Sequence, residues 1–332
     1  MKKNQKIINL RALAIILVVF GHSIILYSSE WDTFTTERTC IILDYIKKVI
    51  NIIQMPLFFS ISGYLFYYSY TKRNLIELII EKFKRLIIPF LLVALLWFIP
   101  VRMLLNYSGY QGLNYIEIFV DKVLLGHDMG HLWFLPTLFY MFIIMKIILE
   151  ILKKAENKVQ YYALSFIIFL EGILIYKITK EWSLKYYPYF DSVAIHFIYF
   201  YLGFAINKYK IEEKLNSKKI GKILLLTFNI AGIIIYLISP SDALKVAMGV
   251  ISVISLYITM KEEASKATEI LSENSFGVYL LHSPLKYITY TYYNNAEPFF
   301  VVTTNFVFWG AIALLMTIGI RKTKFKFILG EK

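Results

Sequence analysis

Long apolar stretches, separated by short polar breaks, recur from one end of the chain to the other. A helix needs about 20 mainly apolar residues to cross a bilayer, and lipid offers no partner to backbone N–H and C=O groups, so apolar runs of this length must be helical. The stretches lie near residues 7–28, 49–70, 86–105, 132–152, 161–178, 192–207, 222–238, 243–260, 271–292 and 299–320. The pattern predicts an all-α, polytopic integral membrane bundle of about ten transmembrane helices, in a single transmembrane domain over residues 1–332.

The composition agrees with a membrane protein. Of the 332 residues, 58% are hydrophobic and 18% are charged, which is more apolar surface than a soluble domain can bury. Cys40 is the one cysteine, which excludes disulfides and thiolate metal clusters within the sequence. The longest break, 106–130, is too short for a soluble domain, and its aromatic and apolar residues indicate a segment along the membrane interface.

Basic residues concentrate in alternate breaks. If the N-terminus is cytoplasmic, the inward breaks, such as 208–221, carry most of the Lys and Arg residues, whereas the outward breaks, such as 106–130, carry few. Cytoplasmic loops are enriched in Lys and Arg, so we expect both termini to be cytoplasmic. Lys47, Lys48 and Arg102 belong to the outward group. The net charge of +13 is spread over short loops, which indicates topology and anionic membrane lipids rather than a nucleic-acid partner.

Arg11 and His22 form the first candidate for chemistry. Their spacing in a helix places them on one face, within roughly 20°, with a rise of about 16 Å between them. Arg11 is expected near the cytoplasmic surface and His22 near mid-membrane, both facing protein or water rather than lipid. A neutral imidazole can take the proton of an attacking hydroxyl or accept an acyl group itself. The alternative is a buried His that serves packing only, and the Arg on the same face favours a functional role.

A second candidate is the basic cluster Lys82, Lys84 and Arg85, which precedes Pro89 at the predicted cytoplasmic entrance of the third helix. Arg presents a bidentate fork to phosphate oxygens and Lys a mobile point charge. Arg11 is expected at the same membrane level. The cluster therefore indicates a phosphate site, with anchoring by the positive-inside rule as the alternative.

We expect different roles for the remaining histidines. His127 and His131 have helical i, i+4 spacing, but flanking glycines favour a loop and no third ligand follows by spacing, so we expect no bound metal. His282 falls in the ninth stretch at a depth like that of His22 and could line the same cavity. His196 lies among aromatic residues and is expected to be structural. We assign no role to Glu171, an intramembrane carboxyl.

Six elements, read together and in order, resemble the membrane acyltransferase family 3, in the branch described as fucose 4-O-acetylase-like. Arg11 and His22 are similar to the family's Arg-x10-His motif. The segment Gln54 to Leu65, which contains Ser62, resembles a second-helix signature that ends in Ser-Gly-Tyr. The other elements are Lys82 to Pro89, His131 to Leu135 with Trp133, Tyr199 to Phe204, and Tyr279 to Pro284 with His282.

The resemblance implies an enzyme that uses acyl-CoA, usually acetyl-CoA, as a donor substrate and binds no further cofactor. It implies that Arg11 and His22 are essential, with His22 as the base, and that the donor contacts Arg11, Lys82, Lys84 and Arg85. Family members often carry Arg at the positions of Lys82 and Lys84, so bidentate phosphate recognition here depends on Arg85. The expected substrate-binding residues are Ser62, His131, Trp133, Tyr279 and His282.

Three functions remain in competition at this point. The first is transfer of an acetyl group to a hydroxyl of a cell-surface or lipid-linked carbohydrate, such as a capsular or exopolysaccharide unit. The second is a polysaccharide exporter or flippase without acyl transfer. The third is acylation of a small molecule. The Arg-x10-His face and the basic entrance favour the acyltransferases, because acyl-CoA requires both and translocation requires neither.

Overall fold

The computed structural model describes residues 4–29, 39–155, 160, 189–216, 219–293 and 295–331. Its regular structure over these residues is helical, which confirms the predicted all-α class. We number the long helices in chain order: α1 Gln5–Tyr27, α2 Ile41–Phe66, α3 Leu75–Leu104, α4 Gly130–Leu152, α5 Tyr189–Tyr209, α6 Ile220–Ile238, α7 Asp242–Thr259, α8 Lys266–Tyr292 and α9 Pro298–Arg321. All except α8 are long and apolar enough to cross a membrane.

Every predicted stretch within the described ranges corresponds to one of these helices. The predicted stretch 161–178, which contains Glu171, lies outside the described residues. Helix α8 differs from the others because it carries many polar residues, and most of these are buried, among them Asn274, His282 and Lys286. It packs between α1 and α9. Its polar side chains therefore face protein rather than lipid, which is where a membrane helix tolerates them.

The contacts between helix ends define two ends of the bundle. At one end, Asn4 Nδ2 donates to the hydroxyl of Tyr64 at 3.3 Å, and Lys6 pairs with Glu212 at 2.7 Å. At the same end, Lys146 donates to the carbonyl of Tyr70 at 2.7 Å. These bonds bring the N-terminus and the segments after α2 and α5 together, as the charge distribution predicts. We call this the N-terminal end of the bundle.

Helices α2 and α5 approach each other through two glycines. A Cβ added to Gly63 would lie 1.9 Å from the carbonyl oxygen of Phe200, and one added to Gly203 would lie 1.8 Å from that of Ser60. Small residues allow such backbone contact between membrane helices. Gly63 follows Ser62 in the second-helix element and Gly203 belongs to the Tyr199 to Phe204 element, so packing accounts for both glycines.

Helix α3 contains two wide turns of π-helix, Phe83–Ile87 and Ala94–Phe98. After each of them a proline follows within the next turn, Pro89 and Pro100. Proline lacks an N–H and its ring clashes with the carbonyl four residues earlier, and a π-turn relieves that clash. The first wide turn contains Arg85, and the second contains Trp97 and Phe98.

Two expectations about charged residues are wrong. Helix α2 begins at Ile41 rather than near residue 49, so Lys47 and Lys48 lie within it, and Lys47 is fully buried. Arg102 is also buried, in the last turn of α3, rather than exposed in a loop. A charged residue lowers the local hydropathy, so the predicted apolar stretch ends where the charge occurs. Here α2 continues because Lys48 pairs with Asp44 at 2.8 Å and the helix packs against α1.

The glycine contact predicts a loss of stability when Gly203 is changed to Ala. The new methyl group would meet the backbone of α2, and overpacking of this kind costs about 1–3 kcal/mol. Gly319→Ala in α9 is the matched control because nothing lies within 4 Å of a Cβ there. We expect a lower melting temperature of the purified protein for Gly203→Ala only. Equal melting temperatures for the two variants would contradict the close approach.

The topology predicts that residue 214 is cytoplasmic and residue 108 is outside. Both positions are exposed in the structure. In a Cys40→Ser background, a membrane-impermeant maleimide applied to intact cells should label Ser108→Cys and leave Lys214→Cys unlabelled until the membrane is opened. Labelling of Lys214→Cys in intact cells would refute the predicted orientation.

Candidate functional site

Three helices each bring one histidine to a common point inside the bundle. His22 of α1 and His282 of α8 have ring centroids 5.0 Å apart, and His131 of α4 lies 5.2 Å from His282 and 6.4 Å from His22. All three side chains are buried. His22 lies near the end of the α-helical segment Gln5–Ile24. The structure thus joins the first, fourth and ninth predicted stretches at one site.

The hydrogen bonds of His282 fix the tautomer of His22. Nδ1 of His282 donates to the carbonyls of Val278 at 2.9 Å and Tyr279 at 2.8 Å, both one turn earlier in α8. In a neutral ring its Nε2 then carries a lone pair and accepts a hydrogen bond. Nδ1 of His22 lies 2.8 Å from that Nε2 and must be the donor. The lone pair of His22 is therefore on Nε2, the nitrogen that can act as a base.

His131 is held in a complementary state. Its Nε2 donates to the carbonyl of Leu280 at 3.1 Å. Nδ1 is therefore an acceptor, and it has no hydrogen-bond partner among the described residues. Tyr279 donates its hydroxyl hydrogen bond to the carbonyl of His131 and packs its ring 5.5 Å from the imidazole. Tyr279 thus positions His131 and leaves a buried acceptor beside the other two histidines.

A small, partly open pocket adjoins the histidines. Its lining combines polar, charged and aromatic side chains: His22, His131, Arg102, Asp128, Ser283, Lys286, Tyr287 and Tyr290. Tyr290 donates to the carbonyl of His22 at 2.7 Å. Binding sites typically pair an apolar or aromatic wall with a few convergent polar groups. This pocket has that character.

Arg102 closes the side of the pocket away from the N-terminal end. It pairs with Asp128 at 3.0 Å and donates to the hydroxyl of Tyr287. Four aromatic rings surround its guanidinium, with centroids 4.1 to 5.6 Å from Cζ: Phe98, Tyr107, Tyr110 and Tyr287. Burial raises the pKa of Tyr110 to about 12, so this phenol keeps its proton at neutral pH. This cluster was not predicted from the sequence, although Tyr107 and Tyr110 follow Arg102 closely along the chain.

Two lysines reach the interior near His22. Lys286 is fully buried and donates to the carbonyl of Val19 at 2.5 Å, and Lys47 is fully buried on α2. Both act electrostatically on His22. A hydrogen-bond donor fixed in a dry interior stabilises negative charge that develops on a reacting oxygen. Neither lysine was singled out from the sequence. Hydropathy placed Lys47 in a loop, and it does not indicate which residue on another helix contacts Lys286.

The basic residues gather at the N-terminal end of the bundle. Arg11 is half-buried on α1, three turns before His22, and interacts electrostatically with Arg85 of α3. Arg85 also interacts with Lys82, whose ammonium lies 4.0 Å above the ring of Phe142. The structure therefore groups Arg11, Arg85 and Lys82. Lys84 is exposed to solvent, as is Arg85.

Of the five expected substrate residues, His131 lines the pocket. Tyr279 and His282 pack against His131, whereas Ser62 and Trp133 are held elsewhere. Ser62 donates its hydroxyl to the carbonyl of Phe58 at 3.0 Å, within its own helix. The ring of Trp133 packs 5.2 Å from that of His196 and 6.0 Å from that of Phe59. His196, as expected, lies among aromatic rings, and its Nδ1 bonds to the carbonyl of Ser192 at 2.9 Å.

His127 and His131 do not share a site. His127 is part-exposed and bonds through Nδ1 to Asp121 at 2.6 Å, whereas His131 is buried with the other two histidines. Hydrogen bonds from Lys122 and His127 lower the pKa of the Asp121 carboxyl. Within the described ranges, no group of three His, Cys, Asp or Glu side chains could hold a metal ion.

Comparison with known proteins adds one positive finding. No curated protein and no solved structure matches the chain significantly. The family model of acyltransferase family 3, described as an acyltransferase domain, matches residues 4–320. That range contains α1 through α9 almost in full and every residue of the histidine site. The chain therefore belongs to acyltransferase family 3 and is a membrane acyltransferase.

Proposed function

We propose that this acyltransferase moves an acetyl group from cytoplasmic acetyl-CoA to a hydroxyl of a cell-surface or lipid-linked carbohydrate in the bacterial cytoplasmic membrane. The order of its motifs supports the fucose 4-O-acetylase-like branch of the family. The observation that carries the proposal is the hydrogen bond from His22 Nδ1 to His282 Nε2. It directs the basic nitrogen of a buried imidazole away from its partner, which is what removal of a hydroxyl proton requires.

The proposed reaction is a direct acyl transfer. The acceptor hydroxyl oxygen attacks the thioester carbonyl while His22 Nε2 takes the hydroxyl proton. A tetrahedral intermediate forms, and the buried amino group of Lys286, which lines the pocket, donates a hydrogen bond to its oxyanion. The intermediate collapses with cleavage of the carbon–sulfur bond, and the proton on His22 passes to the departing CoA thiolate. His282 holds the imidazole in one tautomer throughout and is a positioning residue.

The donor is proposed to enter from the N-terminal end. The positive charges of Arg11, Arg85 and Lys82 lie close enough there to repel one another in the absence of an anion. Guanidinium and ammonium groups together suit a pyrophosphate. His22 lies about 16 Å along the same helix from Arg11, a length that an extended pantetheine arm spans. The thioester would then reach His22 while the nucleotide stays outside the bundle.

The acceptor is proposed to bind in the pocket between His131 and Arg102. Nδ1 of His131 is a buried acceptor without a described partner, and a sugar hydroxyl is a donor that fits it. Aromatic rings next to hydrogen-bonding groups suit the apolar faces and the hydroxyls of a sugar. The positive charge of Arg102 is already balanced by Asp128 at 3.0 Å. Arg102 therefore adds no unbalanced charge to the acceptor pocket.

The catalytic prediction concerns purified protein in detergent, given labelled acetyl-CoA and glycan acceptor extracted from the producing cells. The wild type should release free CoA and form a labelled O-acetyl ester. His22→Ala should slow transfer about 100- to 10,000-fold because the hydroxyl proton has no acceptor. His196→Gln is the matched control, since His196 is also a histidine packed among aromatic rings but lies outside the pocket.

Near wild-type transfer by a well-folded His22→Ala protein would exclude both the base role and a covalent acyl-His. Two observations together would instead identify an exporter. The purified protein would form no ester on any glycan in detergent, and cells that lack the protein would retain unacetylated glycan inside. An exporter needs two sealed compartments to show activity, and a transferase does not.

The donor prediction concerns Arg11→Ala and Arg85→Lys. Arg11→Ala removes a charge-assisted contact to phosphate. Arg85→Lys weakens one, because the ammonium of a lysine is a point charge and cannot replace the bidentate fork of the guanidinium. We expect the KM for acetyl-CoA to rise about tenfold or more, with Arg85→Lys showing the smaller change because Arg85 is exposed. Lys266→Ala, an exposed lysine at the start of α8, is the control. An unchanged KM in both variants would mean that these residues only orient the protein.

A further inference from the structure

A second pocket opens at the N-terminal end of the bundle, between the turn after α2 and the last turns of α4. Its empty space is about 620 Å³. Eight residues line it: Thr71, Lys72, Arg73, Asn74, Leu75, Lys146, Glu150 and Lys153. None of them belongs to the histidine site or to the group of Arg11, Arg85 and Lys82. The pocket therefore needs an explanation of its own.

Positive charge dominates the lining. Four cationic side chains face one carboxylate, Glu150, which Lys146 contacts at 2.7 Å and Lys153 at 3.0 Å. Arg73 pairs with Glu81 at 2.5 Å, and Lys72 is exposed. The single negative charge of Glu150 cannot balance both Lys146 and Lys153, and Lys72 adds a further positive charge. An anion is the ligand that the lining suits.

Part of this lining is held in place before any ligand arrives. Lys146 is buried in α4, and its ammonium is fixed by the carbonyl of Tyr70 at 2.7 Å as well as by Glu150. That bond ties the end of α4 to the turn that carries Lys72 and Arg73. A preorganised cation loses less side-chain freedom when it binds an anion.

The pocket is electrostatically continuous with the donor site. Glu81 contacts Arg73 through Oε2 and Lys82 through Oε1, the latter at 3.7 Å. Lys82 interacts with Arg73 and with Arg85, and Arg85 interacts with Arg11. A line of cations thus runs from the open pocket to the helix that carries His22. A ligand with two separate anionic groups would match its two ends.

We propose that this second pocket binds the ribose 3′-phosphate of the coenzyme A donor, while Arg11, Arg85 and Lys82 bind the pyrophosphate. The inference rests on the proposed function. Coenzyme A carries these two anionic groups on one adenosine, and a phosphate monoester is a compact dianion suited to Lys and Arg together. The phosphate of an anionic lipid headgroup has the same chemistry, so the experiment must separate the two sources.

The kinetic test compares acetyl-CoA with acetyl-3′-dephospho-CoA, which lacks only the 3′-phosphate. The wild type should prefer acetyl-CoA about tenfold or more in kcat/KM, through KM rather than kcat. The Lys72→Ala/Arg73→Ala double variant should lose this preference and keep its rate with the dephospho donor. Lys266→Ala should keep the preference.

The outcomes separate the inference from the proposed function. If the wild type transfers acetyl equally well from both donors, the 3′-phosphate site is wrong and the acetyl transfer stands. If it transfers from neither donor, the proposed function is wrong. A preference that survives in the double variant places the 3′-phosphate elsewhere and also overturns the inference.

A binding measurement needs no turnover. Adenosine 3′,5′-bisphosphate should raise the melting temperature of the purified wild type more than adenosine 5′-monophosphate does, and the double variant should lose the difference. The same proteins in nanodiscs of phosphatidylcholine or of phosphatidylglycerol test the lipid alternative. Stabilisation by phosphatidylglycerol that requires Lys72 and Arg73, without any effect of the bisphosphate, would assign the pocket to a lipid headgroup and overturn the proposal.

Discussion

Polar groups inside a bilayer must find their partners within the protein, and helix α8 is where this constraint governs the whole bundle. At one end of α8, Arg321 of α9 donates to Asn274 at 3.0 Å. Near the other end, Trp309 donates to the hydroxyl of Thr289 at 2.7 Å. Between them His282 and Lys286 bond to α1. The positions of α1 and α9 therefore depend on polar contacts that have no substitute in lipid.

The same contacts produce the geometry of the site. The carbonyls of Val278 and Tyr279 bond to Nδ1 of His282, and this orientation passes to His22. In a hydrolytic triad a carboxylate orients the base, whereas here a second neutral imidazole, held by the backbone of α8, orients the proposed base. No charge has to be buried for this purpose. The arrangement suits a membrane interior, where a buried carboxylate is costly.

The sequence predicted the helices because hydropathy depends on local composition, and it related Arg11 to His22 because both lie on one helix. It also predicted that His282 lies at the depth of His22. It failed for Lys47 and Arg102, since a charge that is buried by a distant partner has the same local pattern as a charge in a loop. The approach of Gly63 to Phe200 and the grouping of Arg73 with Lys146 depend on which helices pack together, and spacing along the chain contains no such information.

The low hydropathy of α8 bears on how the protein is made. On an isolated helix a lysine at the bilayer centre costs about 2.5–3.5 kcal/mol to insert, and α8 carries Lys286 together with His282 and several hydroxyl and amide groups. Its partners on α1 are synthesised long before it, and those on α9 immediately after it. We therefore expect membrane integration of α8 to be a late, cooperative step in biogenesis, in which the nascent helix leaves the translocon only as its neighbours accept its polar face.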